Sequence, residues 1–270
     1  MNSSTTLLAN DRLALFGFGL FETLLITDYG PLFADLHWQR LHRGAQILGL
    51  VPPDQQEWLQ HIQAFMEQTP GTTPYALRIT LSGGAPLAGL PSQLLFQRRS
   101  VPYTPAQYTA GIQLHLLTSP RNEHSPLCTL KSTNYLENIL AKEEAALHGC
   151  EEGLWLNTQG YLAEGTMSNL FFLKNGALFT PSLSSGCLPG TRRQLILELA
   201  RALQIPTHEG LYTFSDLLSS DEIFMTNALM GIMPVRKIQN LTLTVSPPGS
   251  LNSAMRCLEL GYAKLSRGNS

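Results

Sequence analysis

Between Leu154 and Phe179 lie four short apolar runs, Leu154 to Leu156, Tyr161 to Ala163, Asn169 to Leu173 and Ala177 to Phe179. The gaps are filled by Asn157-Thr158-Gln159-Gly160, by Glu164 to Ser168 and by Asn175-Gly176, all rich in turn residues. Runs this short between turns predict paired strands in a β-meander. Helical spacing lies on either side of them. Asn134 to His148 carries Asn134 and Glu137 at the capping-box spacing, and Arg192 to Leu203 and Leu251 to Leu265 repeat the helical pattern. Ile112 to Leu117 and Glu222 to Met225 read as further strands.

The first hundred residues have a similar mixture. Tyr29-Gly30 is a turn signal between Leu20 to Ile26 and Pro31 to Phe33, which predicts a hairpin. From Asp35, a predicted N-cap, apolar positions recur at Leu36, Leu41, Ile47 and Leu48 as far as Gly49. Pro53 to Glu67 predicts a second helix, and Tyr75 to Leu81 and Leu94 to Phe96 predict strands. Val101 to Gln107 is polar, contains two prolines and lacks periodicity, so it is the predicted linker. The expected fold class is α+β with two lobes: a small N-terminal lobe over 1–105 and a larger, β-rich C-terminal lobe with flanking helices over 106–270.

Composition narrows the function. Of 270 residues 43% are apolar and 14% charged, so the chain has ample core and disorder is not its main character. A net charge of −2 provides no field for nucleic acid or an anionic membrane. The most apolar early stretch, Leu13 to Ile26, is interrupted by Gly17, Gly19 and Glu22 and is too short for a membrane span. Met1 to Thr6 has no basic residue and does not read as a secretory signal, so a cytoplasmic protein is expected. Cys128, Cys150, Cys187 and Cys257 form no C-x-x-C pair and read as buried, reduced thiols, with no metal site expected. Gly17-Phe18-Gly19 lacks the third glycine of a dinucleotide fold, and neither a P-loop nor a G-x-S-x-G elbow occurs.

A few residues stand out chemically. Only five lysines occur, and the first, Lys131, precedes the helix expected to open at Ser132-Thr133-Asn134. An ammonium at the positive end of a helix dipole would have its charged form disfavoured, giving an amine able to condense with a carbonyl. From position alone, a solvated loop lysine is the plainer alternative. Glu164 lies at a strand end in an apolar segment, where a buried carboxylate needs a partner. That partner is either an ion pair or capped turn, or a protonated pyridine nitrogen. Leu188-Pro189-Gly190-Thr191-Arg192 leads into a helix, which makes it either an anion site or a loop in which Thr191 caps the helix. Arg40 on the first helix reads as a solvated arginine unless its neighbours make it a phosphate ligand.

Taken together these segments resemble the class IV aminotransferase family, the fold-type IV pyridoxal phosphate enzymes. The resemblance is carried by Phe18 to Thr23, Gln39-Arg40-Leu41, Leu130 to Leu136, Ala163-Glu164-Gly165 and Ser168 to Phe171. Thr180-Pro181, Leu188-Pro189-Gly190 and Met225 to Ala228 complete it. It implies pyridoxal 5'-phosphate as cofactor, with Lys131 as the lysine that condenses with its aldehyde and later moves the substrate proton. Glu164 would then pair with the pyridine nitrogen, and Tyr135 would approach the phenolic oxygen. Arg40, the Thr191 and Arg192 amides and the Asn227-Ala228 turn would bind the phosphate.

The run Asn227 to Val235 is most similar to the 4-amino-4-deoxychorismate lyases of folate biosynthesis, which implies elimination to 4-aminobenzoate and pyruvate. Arg78 is then a candidate ligand for a substrate carboxylate, and a surface-paired strand arginine is the alternative. Two other functions remain open: an aminotransferase on D-amino, branched-chain or other amino acids, and a non-catalytic pyridoxal phosphate-binding homologue. Because the family's sites lie near a dimer interface, the resemblance also implies a homodimer.

Overall fold

A computed structural model describes residues 7–239, 241–243 and 254–267. The expectation for Met1 to Thr6 lies outside these residues, as does the start of the last helix at Leu251. The backbone forms two compact units, one of residues Met1–Val101 with Leu130–Tyr135, the other of Pro102–Thr129 with Leu136–Ser270.

The first unit opens with α1 (Arg12–Phe16), capped by Asp11, whose side chain accepts from the Leu13 N–H at 2.7 Å. Gly17 takes a left-handed conformation and ends the helix. Then come β1 (Gly19–Thr27), β2 (Gly30–Pro31), α2 (Ala34–Leu48), α3 (Gln55–Gln68), β3 (Tyr75–Ser82) and β4 (Leu94–Arg99). The strands form an antiparallel sheet in the order β2-β1-β3-β4, and the predicted hairpin is its edge. Leu20, Leu24, Ile26, Leu77, Ile79 and Leu81 pack on Leu41 and Ala45 of α2 and Trp58 and Ile62 of α3, so one face of the sheet holds this unit's core. Phe33, not Asp35, is the N-cap of α2, with a left-handed backbone, and Asp35 lies in the first turn, where its charge favours the helix dipole.

The returning segment Leu130–Tyr135 adds to β1. The Phe21 N–H donates to the Lys131 carbonyl and the Thr133 N–H to the Gly19 carbonyl, each at 2.9 Å, and Leu20 bridges Ser132.

In the second unit α4 (Pro105–Ala110), β5 (Ile112–Leu116), α5 (Leu136–Leu147), β6 (Glu152–Leu156), β7 (Leu162–Gly165), β8 (Asn169–Lys174) and β9 (Ala177–Pro181) come first. They are followed by α6 (Thr191–Ala202), β10 (Thr207–Gly210), α7 (Phe214–Leu218), β11 (Glu222–Asn227), β12 (Gly231–Ile238), β13 (Leu241–Thr242) and α8 (Ala254–Ser266). The aperiodic stretch after Val101 therefore ends in a short helix, started by Pro105.

The sheet order is β10-β9-β8-β11-β12-β5-β6-β7, with β13 on β12. The expected meander is instead two hairpins, β6-β7 and β8-β9, because β11, β12 and β5 lie between them in the sheet. Short turns dictate each hairpin but not where it joins the sheet. Stacked Phe171 and Phe224 pack with Ile196, Leu197 and Ala200 of α6 and Leu258 of α8, fixing α6 across the strands.

Candidate active site

Alternation along β1 sends Glu22 to the face that α2 covers, where His37 and Arg40 stand one helical turn apart. All three side chains are buried. Arg40 donates from Nε to Glu22 Oε1 at 2.8 Å and from one Nη to Oε2 at 2.6 Å, and His37 Nδ1 lies 2.5 Å from Oε2. Burial would raise the Glu22 carboxyl, but the Arg40 guanidinium and then His37 outweigh it and hold it at about 2. Arg40 is thus not the solvated helix residue its position suggests but a guanidinium fixed by a two-pronged ion pair.

Phe21, Thr23, Arg78 and Thr80 lie on the opposite face of the same strands. Phe21 meets Tyr135 edge to face with ring centroids 5.0 Å apart. Lys131 Nζ sits 4.3 Å from the Phe21 centroid and 5.1 Å from that of Tyr135, and the Arg78 guanidinium sits 3.7 Å over Phe21. Two cations thus share one aromatic ring. Lys131 does not stand at a helix start, because α5 opens only at Leu136 and residues 130–135 run extended beside β1. No helix dipole therefore acts on this lysine, which is clasped to the small sheet between two aromatic walls. The expected capping box falls as well: Asn134 donates from Nδ2 to the Gly17 carbonyl at 2.9 Å, and Glu137 pairs with Arg121 at 2.6 Å.

In the second unit Glu164, on β7, is buried. Its Oε2 accepts from the Leu188 N–H at 2.9 Å and from Asn169 Nδ2 at 3.4 Å, and its Oε1 lies 3.4 Å from an Arg121 nitrogen. Arg121 is itself buried, over the Trp155 ring at 4.7 Å. The ion pair and the turn bond proposed as alternatives for Glu164 are therefore both present.

Gly190, not Thr191, is the N-cap of α6, and Thr191 and Arg192 form a buried first turn. An added Cβ at Gly190 would come within 2.0 Å of Asn169 Oδ1, so a larger residue there would have to displace the Asn169 amide. Arg192 donates to the Ala228 carbonyl at 3.2 Å, which joins the helix start to the β11-β12 turn. Asn227 builds that turn: its Oδ1 accepts from the Leu229 and Met230 N–H groups at 2.9 Å, and its Nδ2 donates to Tyr103 at 2.8 Å and to the Met167 carbonyl at 3.1 Å. With that side chain committed to structure, backbone is what the Asn227-Ala228 turn can offer an anion. Beside it on β11, opposite Asn169, Thr226 is fully buried and its Oγ1 has no hydrogen-bond partner among the described residues.

Sequence reasoning missed Glu22, His37, Arg121, Asn169, Tyr103 and Thr226. For Glu22 a signal was present: a carboxylate in phase with Leu20 and Leu24 faces the core and demands a cation. For Arg121, in an irregular loop, there was none. The cysteines also differ from expectation, since Cys128 and Cys187 are buried but Cys150 is half-buried and Cys257 exposed, all four as free thiols. No cluster of metal-binding side chains and no helix long and apolar enough to cross a membrane occur among the described residues.

The sequence profile of the amino-transferase class IV family matches residues 19–238. The chain is 30% identical over 253 residues to an aminodeoxychorismate lyase from Bacillus subtilis, covering 90% of this chain and 85% of that one. It is 39% identical to a branched-chain-amino-acid aminotransferase from Escherichia coli, but over 116 residues, 43% of this chain and 38% of the relative. Among solved structures, a Legionella pneumophila protein described as a candidate 4-amino-4-deoxychorismate lyase superposes with a TM-score of 0.87 at 30% identity, covering 98% of this chain and 97% of that one.

Proposed function

Because the chain belongs to the class IV aminotransferase family, we propose that it is a pyridoxal phosphate-dependent lyase that converts 4-amino-4-deoxychorismate to 4-aminobenzoate and pyruvate. The observation that carries this choice is the identity over the whole length. The chain is 30% identical to a lyase over 90% of its length, whereas branched-chain aminotransferase relatives from Thermotoga maritima and Methanocaldococcus jannaschii that match over a similar length are 26% and 27% identical.

The residues present fit the cofactor. A scarce lysine rests against two aromatic rings, and the buried, unpartnered Thr226 hydroxyl stands on β11 next to the Asn227-Ala228 turn, which Arg192 of the first turn of α6 contacts. When bound, pyridoxal phosphate supplies an aldehyde that condenses with amines and a ring that draws electrons from the adjacent carbon.

In this reading Lys131 Nζ would hold the cofactor and would take the proton from the substrate ring carbon that bears the amine. Loss of that proton and cleavage of the neighbouring ring carbon–oxygen bond release the ether substituent as enolpyruvate while the six-membered ring becomes aromatic, and a proton delivered to the enol carbon gives pyruvate. Glu164 would hold a proton on the pyridine nitrogen, with an Arg121 nitrogen 3.4 Å from its Oε1. Arg40, the amides of Thr191 and Arg192 and the Asn227-Ala228 backbone bind the phosphate. Tyr135 faces the phenolic oxygen, and Arg78 binds a substrate carboxylate. The active species is a homodimer, which light scattering would test by the mass in solution.

The direct test supplies the pyridoxal phosphate-loaded protein with 4-amino-4-deoxychorismate and follows both products. Equimolar 4-aminobenzoate and pyruvate are expected. Transfer of an amino acid's amine to 2-oxoglutarate with neither product formed would replace the lyase with the aminotransferase. Binding of the cofactor with no turnover of either kind would leave a carrier.

A further inference from the structure

The two arginines that end β4 have opposite surroundings. Arg98 stands opposite Leu77 and is held on every side: it lies 3.9 Å over the Tyr75 ring and donates to the Thr69 and Thr72 carbonyls at 3.1 and 2.6 Å. Arg99, one residue on, stands opposite Ala76 and points to the other face. That face carries Arg78, which stands opposite Gln97. Arg78 and Arg99 are thus diagonal neighbours, with Cβ atoms roughly 7 Å apart for such a pair.

Neither arginine makes a hydrogen bond or an ion pair among the described residues. The nearest strand carboxylate, Glu22, faces the other way and is bound to Arg40 and His37. The partner of Arg99 across the strand is a buried alanine, so the space over Ala76 is left to the guanidinium. Arg78 is half-buried, and burial, then the nearby Arg99 charge, lower its pKa, with Tyr135 opposing. Arg99 is exposed, so this face of the sheet presents two neighbouring guanidiniums, one half-buried and one open to solvent, with no carboxylate bound to either among the described residues. One carboxylate can take Arg78 and a second Arg99.

We propose that Arg99 is a specificity-determining residue, which with Arg78 reads the two carboxylates of a dianionic substrate on the face of the small sheet opposite α2. The proposal rests on the lyase reading for its substrate, since 4-amino-4-deoxychorismate is a dicarboxylate. Arginine suits the task because its planar fork matches a carboxylate.

The test measures binding rather than turnover. Calorimetry on the pyridoxal phosphate-loaded protein and on Arg99→Gln would compare chorismate, a dicarboxylate with no amine to condense, with 4-hydroxybenzoate, which has one carboxylate. Arg99→Gln is expected to keep the wild-type melting temperature and lose about tenfold in chorismate affinity, the size of one charge-assisted bond, while 4-hydroxybenzoate changes less than about twofold. Arg99→Lys should restore part of the loss. Equal weakening of both ligands would mean a general surface potential and overturn the proposal. So would unchanged chorismate binding, or a wild-type protein that binds chorismate no better than 4-hydroxybenzoate. If no 4-aminobenzoate is released in the product assay but the selective loss is still observed, the lyase reading fails and the dicarboxylate site stands.

Discussion

Glu22 and Glu164 are both buried carboxylates near strand-borne candidate residues, one in each unit, and they are held in different ways. Glu22 meets two basic side chains at 2.5 to 2.8 Å, one of them a guanidinium bound at both oxygens. Glu164 meets one N–H at 2.9 Å, with an amide and a guanidinium at 3.4 Å. The first is fastened by opposite charge in a geometry that leaves it one task, orienting Arg40. The second has a loop N–H and a guanidinium at 3.4 Å among its partners. Burial is common to the two carboxylates; the geometry of the arginine beside each is what differs.

Substitutions can break this comparison. Glu164→Gln should lower turnover by about 10²-fold or more while leaving the melting temperature within a few degrees, checked by steady-state kinetics and thermal unfolding. Glu22→Gln should act in the opposite sense, costing about 3 kcal/mol of stability in denaturant unfolding because Arg40 is left buried without its anion. If Glu164→Gln unfolds the protein and Glu22→Gln merely slows it, the two roles are reversed.

The pH dependence sharpens the same contrast. The Glu22 carboxyl is lowered from 4.5 to about 2, so its contribution is fully present above the ordinary carboxylate range and is lost as pH falls toward about 2. Acid unfolding of the wild type should therefore show a stability loss through that window, and Glu22→Gln should lack it. Asn227→Ala removes the side chain that builds the β11-β12 turn and is expected to cost about 1–2 kcal/mol and to weaken inorganic phosphate binding, read by calorimetry. The smallest effect is chemical. A thiol reagent should label Cys257 first and Cys187 last, because burial, helped by Glu164, pushes the Cys187 thiol up to about 12.

Local pattern was a good guide to local structure. The hairpin at Tyr29-Gly30, the helix ending at Gly49 and the strands at 75–82 and 222–227 follow from alternation, spacing and turn residues, which act over a few neighbours. What depends on distant pairing was hidden. The hairpins β6-β7 and β8-β9 look continuous along the chain but are parted by strands from later and earlier in it. Lys131 is legible as a scarce residue at a family-like position, yet its setting is not, because β1, more than a hundred residues earlier, holds that segment extended. Thr191 and Asn227 were found as positions, whereas the glycine cap and the fully committed amide that define their parts emerge only once α6 and the β11-β12 turn are folded.

The central claim is that Lys131 carries the cofactor, and peptide mapping after borohydride reduction tests it most directly. Protein incubated with pyridoxal phosphate, reduced and digested should carry the pyridoxyl group on the peptide containing Lys131, and Lys131→Ala should be unlabelled and colourless. A label on another lysine with Lys131 unmodified, or equal labelling of the Lys131→Ala variant, would contradict the account.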